Sequence, residues 1–569
     1  MKNTLFILFS LVSFYSYAQS DHRVEDKKGN AHLAHMQASR AQTFYIHNLP
    51  PPKLMQGIGQ SKMIIQTKSP QTQLYFNQGL NLLHDFWDFE AYRAFKEAIR
   101  QDSTAIMPYW GLIQNPGPDE DSIYKHNKTV AIKQLKKLLK TANEHEKLYA
   151  ETAILGDSLK EKAIPEIVKK YELIVHKFPD DVDAKLFLAL IKMGGFDTDM
   201  NPNEGQMYSE FLLKDVQRSD PNNQALNHYW IHLKENCCPE EAIKSADILT
   251  SLAPNSGHIV HMPGHIYNRV GNYKKAHDAF VAAVKVDSTY MKKEGVQEVD
   301  TWNYIHNINY LIANCAHDGR HNEGLYYAEK LKKMPVTKDR KKIYEGTFFG
   351  QGILAPAKME MAFGYWDKAA LELETIQDKD SLYGNSNMAF KDGLLYFAKG
   401  MFAIKNKKLD DAIKYGNSLD AMLWRNEKQN GKDSTMVKWY QNMLNTASLE
   451  LQGRIKSEEG NYEQALKLLE MAEKNEKELG YSEPPFYAHP VIMSTATVYE
   501  KSGKIEKAIE CYDGLLKKHP KSAYIYYALV DLYKKKGDSK KALEYEALLK
   551  VANKYGDKGI YDVALLKQQ

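Results

Sequence analysis

The amino-acid sequence predicts an all-α protein, a right-handed superhelical solenoid of helix–turn–helix units, on three observations. A short phrase recurs along the chain: a small residue, a two-residue turn, Ala, an aromatic or Leu, then Ala or Leu. It reads GNYKKAHDAFVAA at 271–283, GYWDKAALEL at 364–373, GNYEQALKLLEMA at 460–472, GKIEKAIECYDGLL at 503–516 and GDSKKALEYEALL at 537–549. The alanine of that phrase recurs in steps of 34 residues, from Ala242 to Ala276 and from Ala508 to Ala542. No stretch alternates apolar and polar residues for more than a few positions, so strands are not expected. Each unit is too small to bury its own apolar face, and neighbours must stack around one continuous core.

This spelling and period resemble the tetratricopeptide repeat. Pro254 and Pro520 lie twelve residues beyond Ala242 and Ala508, where that repeat carries its closing proline. At least eight such units cover roughly 71–550. Gly at the turn permits the left-handed backbone that ends a first helix, and the small Ala lets the second helix approach it closely.

In chain order, residues 1–18 read as a secretory leader. Lys2 supplies a positive start, Leu5–Phe14 is an apolar run, and Ser16-Tyr17-Ala18 is a small-x-small cleavage site. The run is too short to span a bilayer and no later stretch reaches about 18 apolar residues, so an exported, soluble, periplasmic or secreted protein without a transmembrane segment is expected. Residues 19–70, with PPP at 50–52, read as an extended N-terminal arm that packs on the solenoid. N-terminal repeats follow over 71–220, histidine-rich repeats over 221–330 and middle repeats over 331–480, then a loop with C-terminal repeats over 481–569. Steps of 48 from Ala276 to Gly324 and 43 from Ala465 to Ala508 leave room for insertions around 288–301 and at YSEPPFYAHP, 481–490.

A net charge of +4 over 569 residues gives no basic surface for nucleic acid. The expected partner is instead an unidentified protein, peptide or small-molecule ligand in the groove. Four cysteines make no disulfide framework; Cys237 or Cys238 could bridge to Cys315, or the thiols stay free. No Gly-rich phosphate loop, GxSxG nucleophile or HExxH occurs.

The histidines carry the chemistry. With Gly271 as a turn glycine, the first helix of that unit covers 257–270, and His258, His261 and His265 take repeat positions 2, 5 and 9. They then lie within about 60° of one another, with Asn268 and Arg269 at positions 12 and 13. Resemblance to the repeat family implies that these positions line the concave groove. In the preceding unit NHYWIHLKEN (227–236) sets His228, His232 and Glu235 on one face. In the following unit WNYIHNINYL (302–311) gives His306 and Asn309 the slots of His258 and His261. Six histidines from three consecutive units thus converge. His-x3-His on a helix is a ligand geometry for Cu, Zn, Ni or Fe, and Glu235 offers a carboxylate. Pro263 opens a second possibility: a helix starting there would leave His258 and His261 on an extended entry.

The spellings HYWIH, APNSGHIVHMPGHIYNRVGNY, HNINYL and YSEPPFYAHPV are similar to one branch of repeat proteins that carries HY-x-IH, H-x-x-HMPSHIY-x-R-x-G, HN-x-H and Y-x-EPP. The resemblance implies the fold and the candidates His228, His232, His258, His261, His265 and His306, but no reaction. The chain departs from it at Asn309, where the branch has His. Two functions remain open: a transition-metal centre (Cu, Zn or Fe) with or without catalysis, and a non-catalytic scaffold for a peptide, protein or glycan.

Overall fold

The computed structural model describes residues 49–115, 122–159, 163–197, 199–335, 337–340, 344–378, 381–429, 435–479, 487 and 489–562. The leader, residues 19–48 of the arm and most of the 481–490 loop lie outside the described residues. Helix follows helix from Pro70 to Ala552; among the described residues the strand-like pairing is limited to an isolated bridge between Phe196 and Pro202. Successive helices pack as hairpins, among them Pro70–His84 with Asp88–Gln101, Gly257–Arg269 with Tyr273–Glu294, and Trp302–Asp318 with His321–Lys332. One run of buried apolar side chains extends from Ile58 to Val498, with two smaller clusters in the last repeats. This is the all-α solenoid the periodicity predicts.

The small residues do the work assigned to them. Ala242, Ala276, Ala465 and Ala508 are fully buried at helix contacts. A Cβ on Gly264 would lie 2.3 Å from the ring of Phe280 on the next helix, so only glycine allows that approach. Gly271, at φ 73°, ends its helix in the left-handed region, and a Cβ there would stand 2.2 Å from the Pro520 carbonyl. Pro263 lies inside the continuous helix Gly257–Arg269, so His258, His261 and His265 do share a helix.

The insertion expected around 288–301 is helical. Helix Tyr273–Glu294 runs for 22 residues and hands over to a 3₁₀ turn, Glu298–Asp300. Its extension carries Tyr290, whose hydroxyl donates to Glu90 and whose ring lies 4.5 Å from Trp87. The first hairpin is thereby held against the histidine-rich repeats. Residues 49–69 strap the same units together: Met55 N–H donates to Gln78, Ser61 N–H to Asn81, Gln60 N–H to Gln224, and Gly57 accepts from Asn255 N–H.

At its other end the chain returns to the same repeats. Tyr273 hydroxyl donates to the Pro520 carbonyl at 2.9 Å, His317 Nδ1 meets Ser522 Oγ at 3.1 Å, and Asp557 N–H donates to Gly319 O at 2.9 Å. The histidine-rich units are gripped from both termini of the described chain.

Gly264→Ala is expected to destabilise the protein by about 1–3 kcal/mol through overpacking against the immobile Phe280. Gly514→Ala, mid-helix where a Cβ meets nothing within 4 Å, should instead raise stability by about 0.5–1 kcal/mol. Urea unfolding midpoints of the two variants test the contrast.

Candidate metal centre

Three helices supply the imidazoles: Gln224–Lys234 carries His228 and His232, Gly257–Arg269 carries His258, His261 and His265, and Trp302–Asp318 carries His306. Asn223 caps the first by accepting from Leu226 N–H, fixing its register. The structure brings all six rings together, as two groups of three. Within each, His228/His232/His258 and His261/His265/His306, a nitrogen from every ring lies within 4.8 Å of the others. The groups adjoin, with ring centroids of His258 and His261 5.9 Å apart. None of the six is more than 7% exposed. The expected open groove is here an enclosed interior.

Hydrogen bonds set the tautomers. His228 Nδ1–H donates to the carbonyl of His84 at 2.8 Å, and His232 Nδ1–H donates to Glu235 Oε1 at 3.1 Å. Both acceptors are acceptor-only, so the two Nε2 atoms, 3.0 Å apart, turn lone pairs toward each other. That arrangement requires a cation between them. In the second pair only one ring is fixed this way: His265 Nδ1–H donates to Glu235 Oε2 at 2.7 Å, so its Nε2 accepts from His261 Nε2–H at 2.6 Å. His261 Nδ1 is buried with no hydrogen-bond partner. His258 Nδ1–H donates to Asn303 Oδ1 at 3.3 Å, and Asn303 Nδ2 donates to Asp287 at 3.0 Å.

Glu235 is therefore not gathered with either group of nitrogens. It sits behind them, one oxygen on each group, and orients a ring in each, as outer-shell carboxylates do in metal sites. Burial alone would raise its pKa, yet the facing rings of His232 and His265 outweigh it and hold the carboxyl below its ordinary value. Burial, then the neighbouring imidazoles, depresses His228, His258 and His261 well below the ordinary histidine value, so these rings stay neutral. Neutral imidazole is the form that ligates a metal.

The other positions expected to line a groove, Asn268, Arg269 and Asn309, make hydrogen bonds within the solenoid. Arg269 Nε and Nη2 donate to the carbonyls of Glu235 and Asn236 at 3.1 and 3.2 Å, clamping the segment that carries Glu235. Asn268 Nδ2 donates to Asn314 Oδ1 at 3.0 Å. Asn309 is buried and donates to Ile305 O at 2.9 Å, so the position where the similar branch has His is here a helix contact. Cys237 bonds to its neighbour Cys238 rather than to Cys315, which is a buried thiol.

Several site residues escape a sequence reading. Phe86, held at φ 58° between the first two helices, lays its ring 4.6 Å from His228 and 5.5 Å from His232. Tyr310 stacks on His265 at 4.2 Å and Trp302 on His306 at 4.5 Å. The His84 carbonyl and the Asp287–Asn303 pair complete the surroundings. The i, i+4 and i+8 spacing of Trp302, His306 and Tyr310 marks them as same-face neighbours, but nothing local ties His84 or Phe86 to repeats about 140 residues away.

Residues 494–556 match the tetratricopeptide repeat family. No curated protein sequence matches the chain. Among solved structures, a human IFIT1 dimer with m7Gppp-AAAA is 13% identical over 93% of this chain and 99% of that chain, with a TM-score of 0.33. Yeast Tom70 is 11% identical over 87% of this chain and 94% of that chain, at 0.30. Scores this low fix no common shape, and the m7Gppp-AAAA belongs to the IFIT1 structure alone.

On unfolding in metal-free buffer, His261 gains a proton below about pH 6.5 that the folded chain resists. It therefore contributes stability above that pH which is lost as pH falls. His261→Gln should make the decline of stability between pH 6.5 and 5 shallower by up to about 1.4 kcal/mol per pH unit, read from urea midpoints across that range.

Proposed function

We propose that this repeat protein is a metalloprotein whose solenoid encloses a transition-metal centre of two adjacent three-histidine sites. One observation carries the reading: two pairs of Nε2 atoms face each other at 3.0 and 2.6 Å, each with a third imidazole beside it. In the metal-free chain a proton held between His228 and His232 relieves their facing lone pairs, and His261 donates an ordinary hydrogen bond to His265. A shared proton uses two of the three nitrogens in a group, whereas a metal ion uses all three. Sets of three imidazoles suit Cu, Zn and Fe.

Burial sets what such a centre can do. A peptide, protein or glycan held on an open groove would meet exposed imidazoles; these rings are covered by Phe86, Trp302 and Tyr310. The scaffold reading keeps the support of the repeat architecture alone. The enclosed site favours a bound metal, acting on small molecules or held in store. No described helix is long and apolar enough to cross a membrane. The leader-like residues 1–18 support a periplasmic or secreted setting for this chemistry.

Titration of the metal-stripped protein with Cu or Zn should give two ions per chain, with a proton released into weakly buffered solution as the one held between His228 and His232 is displaced. In a His232→Ala, His265→Ala variant, uptake should fall to zero or one ion. Binding of neither metal, with no proton release, would refute the proposal. Glu235→Gln keeps all six rings and should lower affinity about 10–100-fold, since it loosens their orientation. Unchanged affinity in that variant would remove Glu235 from its assigned role.

A further inference from the structure

The donor set and its burial narrow both the ion and its substrate. All six proposed ligands are imidazoles, which ligate a metal in the neutral form, and Glu235 is a carboxylate hydrogen-bonded to two of them, His232 and His265. Asp287 stands one residue further out, behind Asn303. Two dications beside Glu235 set four positive charges against its one negative in an interior where none of the six rings is more than 7% exposed; two monocations set only two. Uncompensated buried charge is strongly disfavoured, so the enclosure favours the monovalent ion. Among Cu, Zn and Fe, only copper offers one, and three imidazoles suit copper(I).

Two copper(I) ions side by side are a two-electron donor. The walls around them are aromatic: Phe86 against His228, Phe280 5.0 Å from His261, Tyr310 against His265 and Trp302 against His306. Among such walls a small neutral, apolar molecule loses little hydration, whereas a charged substrate loses much. Resting on the metal-centre reading above, we propose that the paired sites hold two copper(I) ions and take up one molecule of dioxygen between them. Each copper(I) gives one electron. Dioxygen gains two, becoming a peroxide dianion bridging two copper(II) ions. The O–O σ bond stays intact, no proton moves, and the reverse transfer releases dioxygen.

The test begins anaerobically. The metal-stripped full chain is loaded with copper(I), freed of excess by gel filtration, and its copper counted. Air-saturated buffer is then added under an oxygen electrode, and the product is examined by electron paramagnetic resonance. The expected result is two copper ions per chain, one dioxygen consumed per two copper ions, and no paramagnetic signal, because the two copper(II) spins couple. His261→Gln with His306→Gln should bind one copper and lose at least tenfold in dioxygen uptake. His306→Gln alone gives the same reading if the double variant fails to fold. Two bound copper ions without dioxygen uptake would overturn this inference and leave the metal centre standing. Absence of bound copper would remove copper and dioxygen together, and zinc uptake in the earlier titration would then decide the centre itself.

Discussion

The carboxylate of Glu235 is shared by two rings from two different repeats, accepting from His232 Nδ1–H on one oxygen and His265 Nδ1–H on the other. The rest of the site depends on that sharing. It fixes which nitrogen of each ring carries the proton, and so which nitrogen presents a lone pair to its partner ring. It also ties two groups of three imidazoles into one unit. Its own position is held in turn by Arg269, whose guanidinium reaches the carbonyls of Glu235 and Asn236 from the following repeat. A buried carboxylate is costly unless its oxygens are paired, and both are.

The solenoid provides what a lone hairpin cannot. Stacked first helices bring equivalent positions of neighbouring repeats side by side, so that rings on Gln224–Lys234, Gly257–Arg269 and Trp302–Asp318 meet without any loop doing the positioning. The first and last described repeats then both pack on these units. The first hairpin covers the histidines through His84 and Phe86, and the last repeats press on Gly271 and Gly319 from the other side. The strap at 55–61 joins the first hairpin to these units, through Gln78 and Asn81 on one side and Gln224 and Asn255 on the other.

Sequence periodicity made the architecture legible because repeat stacking is a local rule, repeated. The same register made the six histidines legible, since positions 2, 5 and 9 of one helix and i, i+4 pairs on another must fall on common faces. The division into two groups was not legible. It depends on side-chain directions: His258 leans toward His228 and His232, while His261 and His265 lean toward His306. Glu235 read as a ligand because spacing reports shared faces and not distances to a common point. The covering residues were hidden for a different reason. His84 and Phe86 act through contacts more than 140 residues along the chain, which only the closure of the superhelix creates. The long helix Tyr273–Glu294 read as an insertion because the step from Ala276 to Gly324 gives its length and not its conformation.

The central claim is that three imidazoles from each group bind a metal while Glu235 stays behind them. X-ray absorption spectroscopy of the metal-loaded protein measures this directly. The account predicts a first shell of about three imidazole nitrogens per metal at about 2.0 Å, with the outer-ring scattering that imidazole gives. A shell containing a carboxylate oxygen from Glu235, a sulfur, or only one or two imidazoles per metal would contradict it.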